Sequence, residues 1–291
     1  MDNAAPALGT AVSMERVGRD GALFMEFVRS EGRTVMERAL FHPPLQILKP
    51  MRLEEDGGIC IPVLNPSGGL VGGDRLSIEA RLGAGCRVVL TTPSATKVYR
   101  SSGRPAVQTV DLDVGPAAVL EWMPDSLIPF KDSRFDQRIT ARLADGAVLL
   151  LWDAVASGRA ARGERWAFVS LKNEILIVSS DGGAVMERYD LTPGRMETAR
   201  PSLAGTWDYF ASFYIITGRS RNLSPLSDKL FRALEQWPDR VLGGVSTLSA
   251  SGLAVKMAAR NASDLTNLQT LLWDIVRREI LGTAAPFLRK Y

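Results

Sequence analysis

Imidazole and thiol side chains are almost missing from this sequence: its 291 residues include one histidine, His42, and two cysteines, Cys60 and Cys86. Zinc or nickel sites that retain their ion recruit several such donors. Tight transition-metal binding is therefore not expected, and His42 beside Pro43-Pro44 reads as structural. The cysteines belong to no CxxC pair, which argues against a zinc knuckle or a disulfide framework and fits a reducing cytosol. The start, MDNAAPALGTAV, lacks the basic residues and long apolar stretch of a signal peptide and carries Asp2 instead. Secretion is not expected, and residues 1–12 are expected to be disordered. Long hydrophobic runs are lacking too. The most apolar segment, around AVLLLWDAVA from Ala147, is broken by Asp153 and falls short of the roughly 20 residues that span a bilayer, so no membrane helix is expected. Nor does one charge dominate. The 35 Lys plus Arg are spread along the chain against 32 Asp plus Glu, which argues against nucleic acid as a partner.

What is present is enough apolar residue, 46%, for a substantial core. From about Ala22 to Val185, short β-branched and apolar runs alternate with Gly, Pro and Asp turns, the pattern of a mainly β fold. Val110–Val114 and Ile139–Leu143 alternate, so each should bury one face. Val148–Trp152 and Ile175–Val178 are continuous apolar runs and read as strands covered on both faces. Two helices are predicted near the C-terminus. In the first, Ser224 is the expected cap, Pro225 suits the first turn, Leu226, Leu230, Leu234 and Trp237 share one side, and Pro238 is the stop. The second runs from about Asp264 to Leu281, with Leu265, Leu268, Leu272, Ile275 and Val276 on one side and Gly282 after it. Asn261-Ala262-Ser263 reads as its capping sequence rather than a glycosylation site. Gly243–Ala258 reads as a strand pair between the helices. No internal repeat or linker marks a second domain, so the fold class is a single large domain of layered short strands, β-helix-like, with two helices.

The densest motif is Pro66-Ser67-Gly68-Gly69-Leu70-Val71-Gly72-Gly73-Asp74-Arg75-Leu76. Gly68 and Gly73 have P-loop spacing, but Asp74 puts a negative charge where a phosphate would sit and the Lys-Ser/Thr pair is missing. A glycine turn between strands is the simpler reading. Four glycines around an apolar pair nonetheless imply a backbone that approaches something closely. Ser94-Ala95-Thr96-Lys97 matches an acylating SxxK, yet its SDN and KTG companions are missing and Thr91-Thr92-Pro93 looks like a strand end. Leu120-Glu121-Trp122-Met123-Pro124-Asp125, and Trp152-Asp153 followed by Gly158-Arg159 and Gly163-Glu164, set carboxylates beside tryptophans. Such pairs serve glycan hydrolysis only at separations that a sequence does not fix.

Taken in order, these segments resemble the urease accessory protein UreD family, called UreH in some organisms. The family's PxGGxxGGDxL run matches Pro66–Leu76, its TxxxxKxYRS run Thr92–Ser101, and its LEW[LM]P element Leu120–Pro124. Its tryptophan–acid pair and GRxxxGE run match Trp152-Asp153 and Gly158–Glu164. Gly244–Lys256 and the Trp273 helix are similar to the family's closing elements. Asp125-Ser126 replaces the usual Gln-acid pair, and Pro286–Tyr291 departs from the usual terminus.

The resemblance implies a single UreD-like domain over residues 13–291. It also implies a non-catalytic scaffold in a cytoplasmic complex with the all-helical UreF and the GTPase UreG, which together load nickel into apo-urease. No tightly bound cofactor is expected, nickel passing only in transit. On this reading Asp74, Asp153, Glu164 and Glu187 are candidate carboxylates of a hydrated cation path. Lys97 and Arg100 would pair with them, and Tyr99, Trp122 and Met123 are candidate partner contacts. Gly68, Gly69, Gly72, Gly73, Glu121 and Arg159 complete the set as motif residues. The alternatives are a β-helical carbohydrate-active enzyme and a generic interaction scaffold unrelated to urease.

Overall fold

The computed structural model describes residues 20–53, 57–195, 207–218, 222–249 and 251–288. The expectations for residues 1–12 and for 289–291 fall outside them. In chain order the strands are β1 (Asp20–Ser30), β2 (Arg33–His42), β3 (Gln46–Ile47), β4 (Met51–Leu53), β5 (Gly58–Leu64), β6 (Arg75–Leu82) and β7 (Arg87–Thr91). There follow β8 (Thr96–Val98), β9 (Ala106–Val114), β10 (Val119–Met123), β11 (Leu127–Pro129), β12 (Arg134–Leu143), β13 (Val148–Ala156), β14 (Gly158–Arg159) and β15 (Glu164–Arg165). The chain continues through β16 (Ser170–Ser179), β17 (Ala184–Leu191), β18 (Tyr209–Thr217), α1 (Ser224–Glu235), β19 (Val241–Leu248), β20 (Gly252–Ala259) and α2 (Ala262–Ile280).

Two sheets face each other. The first has the order β17-β16-β12-β9-β6-β1-β2 and the second β19-β20-β18-β13-β10-β7-β5-β3. The middle of the chain alternates between them. It leaves the second sheet at β5, β7, β10 and β13 by long connections and enters the first at β6, β9, β12 and β16. It returns from β6, β9 and β12 through the tight turns 83–86, 115–118 and 144–147. Each sheet therefore gains one parallel strand per circuit, the geometry of a β-solenoid. The return turns stack in step: Gly85 N–H donates to Pro116 O and Ala117 N–H to Asp145 O, each at 2.9 Å. Side chains stack the same way, Ile78, Val110, Ile139 and Ile175 forming one apolar rung across the first sheet. Each such side chain, fully buried, contributes about 1.5–3 kcal/mol.

β13 is covered on both faces as predicted, Leu149 and Leu151 facing the first sheet and Leu150 and Trp152 facing the helices. The Ile175–Val178 prediction fails. β16 lies in the first sheet, outside which no helix packs among the described residues, so Leu176 is only partly buried and Val178 is 38% exposed. Continuous apolarity did not distinguish a central layer from an outer one.

Both helices pack on the outer face of the second sheet, α1 through Leu226, Leu230 and Leu234 and α2 through Leu265, Leu268, Leu272 and Val276. Asn261 caps α2, its Oδ1 accepting from Asp264 N–H at 2.9 Å, and Gly282 follows at φ +73°. Ser224 is the first residue of α1 rather than its cap, and Asn222 Oδ1 accepts its N–H at 3.1 Å. Among the described residues, no helix is long and apolar enough to cross a membrane.

α2 is pinned to the sheet through charge. Glu121 on β10 accepts from Arg277 Nη1 and, at 2.5 Å, from Trp273 Nε1, and the Glu121 and Arg277 side chains are 3% and 2% exposed. Arg277 also donates to Ala284 O and Thr283 Oγ1, tying the segment after the helix to the same point. Removing one partner of a buried pair strands the other's charge. Arg277→Met should therefore lower unfolding free energy in urea by about 3–5 kcal/mol, and Glu121→Gln/Arg277→Met should cost less than the two single losses summed.

Candidate functional site

The glycine run, Lys97–Arg100 and Arg159–Glu164 gather on one side of the coil because they lie in its four long connections, residues 65–74, 92–105, 124–133 and 157–169, whereas Glu121, Trp122 and Met123 lie on β10 and Asp153 on β13. Successive connections bond as rungs. Leu70 N–H donates to Lys97 O and Tyr99 N–H to Leu70 O, each at 2.8 Å; Phe130 N–H donates to Val98 O, Ser101 N–H to Asp132 O and Asp132 N–H to Ala167 O. The glycines permit this stacking. A Cβ on Gly69 would lie 2.5 Å from Lys97 O, and one on Gly72 would lie 2.2 Å from Ser101 Oγ. Gly68 and Gly73 take φ +80° and +93°. The close approach implied by the glycines is thus to the next connection.

Side chains lock the same stack. Asp74, 4% exposed, accepts Val71 N–H on Oδ2 at 2.8 Å and closes its own loop. Arg159 pairs with Glu164, which the guanidinium holds below the usual carboxylate range, and lies 4.1 Å over the Phe130 ring. Tyr99 meets Phe130 edge-on and donates to Gly68 O. Lys97 and Arg100, expected to pair with carboxylates of the path, stand exposed on their connection. Trp122 and Met123 are buried, Trp122 between the sheets and Met123 beneath the helices, so neither presents a partner surface. His42 Nδ1 lies 2.7 Å from Asp20 O, a local tie at the end of β2.

Beneath the connections, polar residues interrupt the apolar core. Gln108, Gln137, Asn173 and Tyr189 lie side by side on one rung of the first sheet. Asp153, Ser212 and Lys256 do so on the second. The two rungs bond across the gap: Gln137 Nε2 donates to Asp153 Oδ1 at 3.0 Å and Asn173 Nδ2 to Asp153 Oδ2 at 2.8 Å. Farther along, Glu187 on β17 accepts from Tyr214 Oη and pairs with Lys256 Nζ. A cavity of about 290 Å³ joins this seam to the surface, with Gly68, Ser94 and Lys97 at its rim and Gln108, Gln137 and Asp153 at its floor.

Asp153 and Glu187 are therefore brought together, while Asp74 and Glu164 belong to the connections. Among the described residues, no three or more His, Cys, Asp or Glu converge as a metal cage. What converges is hydroxyl, amide and carboxylate together with the Lys256 ammonium that already pairs with Glu187. The sequence reading missed Gln108, Gln137, Asn173, Tyr214 and Lys256. A usable signal existed for Gln108, Gln137, Asn173 and Lys256, each polar at a strand position whose neighbours two residues away are apolar and buried; Tyr214, with Ser212 two residues before it, lacks that signal.

Burial first, and Glu187 second, push the Asp153 carboxyl up to about 6, against hydrogen bonds from Gln137 and Asn173. An unfolded Asp titrates near 3.9. The native state thus holds its proton more firmly, a stabilisation present below the unfolded value and lost as pH rises through about 6. Between pH 5 and 7.5 the native chain should lose about 1 kcal/mol relative to Asp153→Asn, measured by urea unfolding at both pH values. In the connections, Gly72→Ala should cost about 1–3 kcal/mol by the same measurement. Gly103→Ala, whose added methyl meets open space, should stay within about 0.5 kcal/mol.

Fold and site together define a β-solenoid-like scaffold with a polar seam between its sheets. The family profile described as UreD urease accessory protein matches residues 19–290. The urease accessory protein UreD of Deinococcus radiodurans is 35% identical, over 97% of this chain and 99% of its own length. That of Herpetosiphon aurantiacus is 32% identical over the same shares, and that of Sorangium cellulosum 34% over 84% and 76%. The chain belongs to the UreD urease accessory protein family and has a role in urease maturation.

Proposed function

We propose that this chain acts in the cytoplasm as one non-catalytic unit, the scaffold of a complex with UreF and UreG, and assists GTP-dependent insertion of nickel into apo-urease. The observation that carries this reading is the seam. A transferred ion must be drawn in and released, and oxygen donors bind nickel far less firmly than imidazole or thiolate clusters do. Asp153 supplies attraction at the cavity floor and Glu187 continues it toward the open side of the sandwich. Asp74 and Glu164 act by keeping the connections, and so the cavity rim, in shape. GTP hydrolysis belongs to UreG, consistent with a glycine loop whose glycines are used in stacking.

Deleting this chain from a urease-producing operon should leave urease poor in nickel, measured by metal analysis of the purified enzyme. Normal loading would overturn the reading. Asp153→Asn should retain co-purification with UreF and lower urease nickel content several-fold; full nickel content would remove Asp153 from the path.

A further inference from the structure

Lys256 points its charge into the protein rather than away from it. Its ammonium carries three N–H donors, and the structure supplies three oxygens: Ser212 Oγ at 2.9 Å, Tyr214 Oη at 2.7 Å, and the Glu187 carboxylate. Tyr214 Oη donates onward to Glu187, so its lone pairs are turned toward the ammonium. Two hydroxyls and a carboxylate together make a cation nest that the chain fills with its own side chain.

The nest lies at an edge of the sandwich. β17, which carries Glu187, ends the first sheet, and only β19 lies beyond β20 in the second. Directly opposite Lys256 on β19 is Gly244, and a Cβ there would meet nothing within 4 Å. The flank of Lys256 is therefore open, and its side chain is 49% exposed. The butylene stem can swing outward without displacing packed atoms.

The geometry points to Lys256 as a tethered cation that closes the edge of the seam to free divalent ions and yields the nest only when it swings into solvent. This deepens the proposed nickel path and rests on it. The selection is by charge: with oxygens alone as donors, nickel and manganese are both admitted when the ammonium leaves. Lys256 touches no reacting atom and is a positioning residue.

The test is equilibrium dialysis of the full-length chain against Ni²⁺ and, separately, Mn²⁺. Lys256→Met, which keeps the stem and removes the charge, should bind both ions at least tenfold more tightly than the unaltered chain. Lys256→Arg should match the unaltered chain, and Lys256→Met/Glu187→Gln should lose the gain. No gain in Lys256→Met, or a gain that persists without the Glu187 charge, overturns the inference. Should Lys256→Met not fold, Lys256→Gln retains an N–H donor for Tyr214 while removing the charge, and the same two results decide. Dialysis is independent of urease loading: normal nickel content in the deletion strain would remove the path without changing these affinities.

Discussion

Parallel backbone pairing between successive circuits of the coil is the constraint on which everything else depends. Because β6, β9, β12 and β16 pair residue for residue, as do β5, β7, β10 and β13, a side chain at one level of a strand has its counterpart at the same level in the next. Apolar rungs such as Ile78–Val110–Ile139–Ile175 follow from that register. The stacked connections follow too, since parallel strands joined in one rotational sense return their links to the same side. A displacement of one residue would turn each rung outward.

The same register makes the polar seam possible. One isolated glutamine in a core is costly, because its amide leaves water without a partner. Gln108, Gln137 and Asn173 avoid that cost by lying on adjacent strands at one level, so that each bonds a neighbour or the Asp153 carboxylate opposite. The carboxylates remain the expensive members, and the rise in the Asp153 pKa toward 6 is the measure of that expense. A network satisfied in this way is stiff, so Gln137, Asn173 and Asp153 hold one another in fixed positions between the sheets.

Charge serves a different end on the other face of the second sheet. There the Glu121–Arg277 pair, with Trp273, fixes α2 to β10 and gathers the residues after the helix. The LEW element thus divides its work by strand parity. Glu121 faces the helices, whereas Leu120 and Trp122 face the first sheet, so adjacent residues of one motif act in separate layers.

The sequence by itself determined the mainly β character, the both-face burial of β13, the helices with their Leu stripes, the Asn261 cap and the family, because periodicity, capping and ordered motifs are local signals. It also implied a close approach somewhere in the four-glycine cluster, and the structure located it at Gly69 and Gly72. Only the tertiary structure decided which residues meet. The outward face of β16 depends on where the helical layer lies. The placing of Trp122 and Met123 in the core depends on the faces of β10, and the separation of Asp74 and Glu164 from Asp153 and Glu187 depends on the level of each in the coil. Pairings such as Asp153 with Asn173, or Lys256 with Glu187, join strands distant along the chain, and their contact is set by cross-sheet geometry that local pattern does not encode. The polar character of Gln108, Gln137 and Asn173 is written in the sequence, but that they share one level and face Asp153 follows only from the facing rungs of the two sheets.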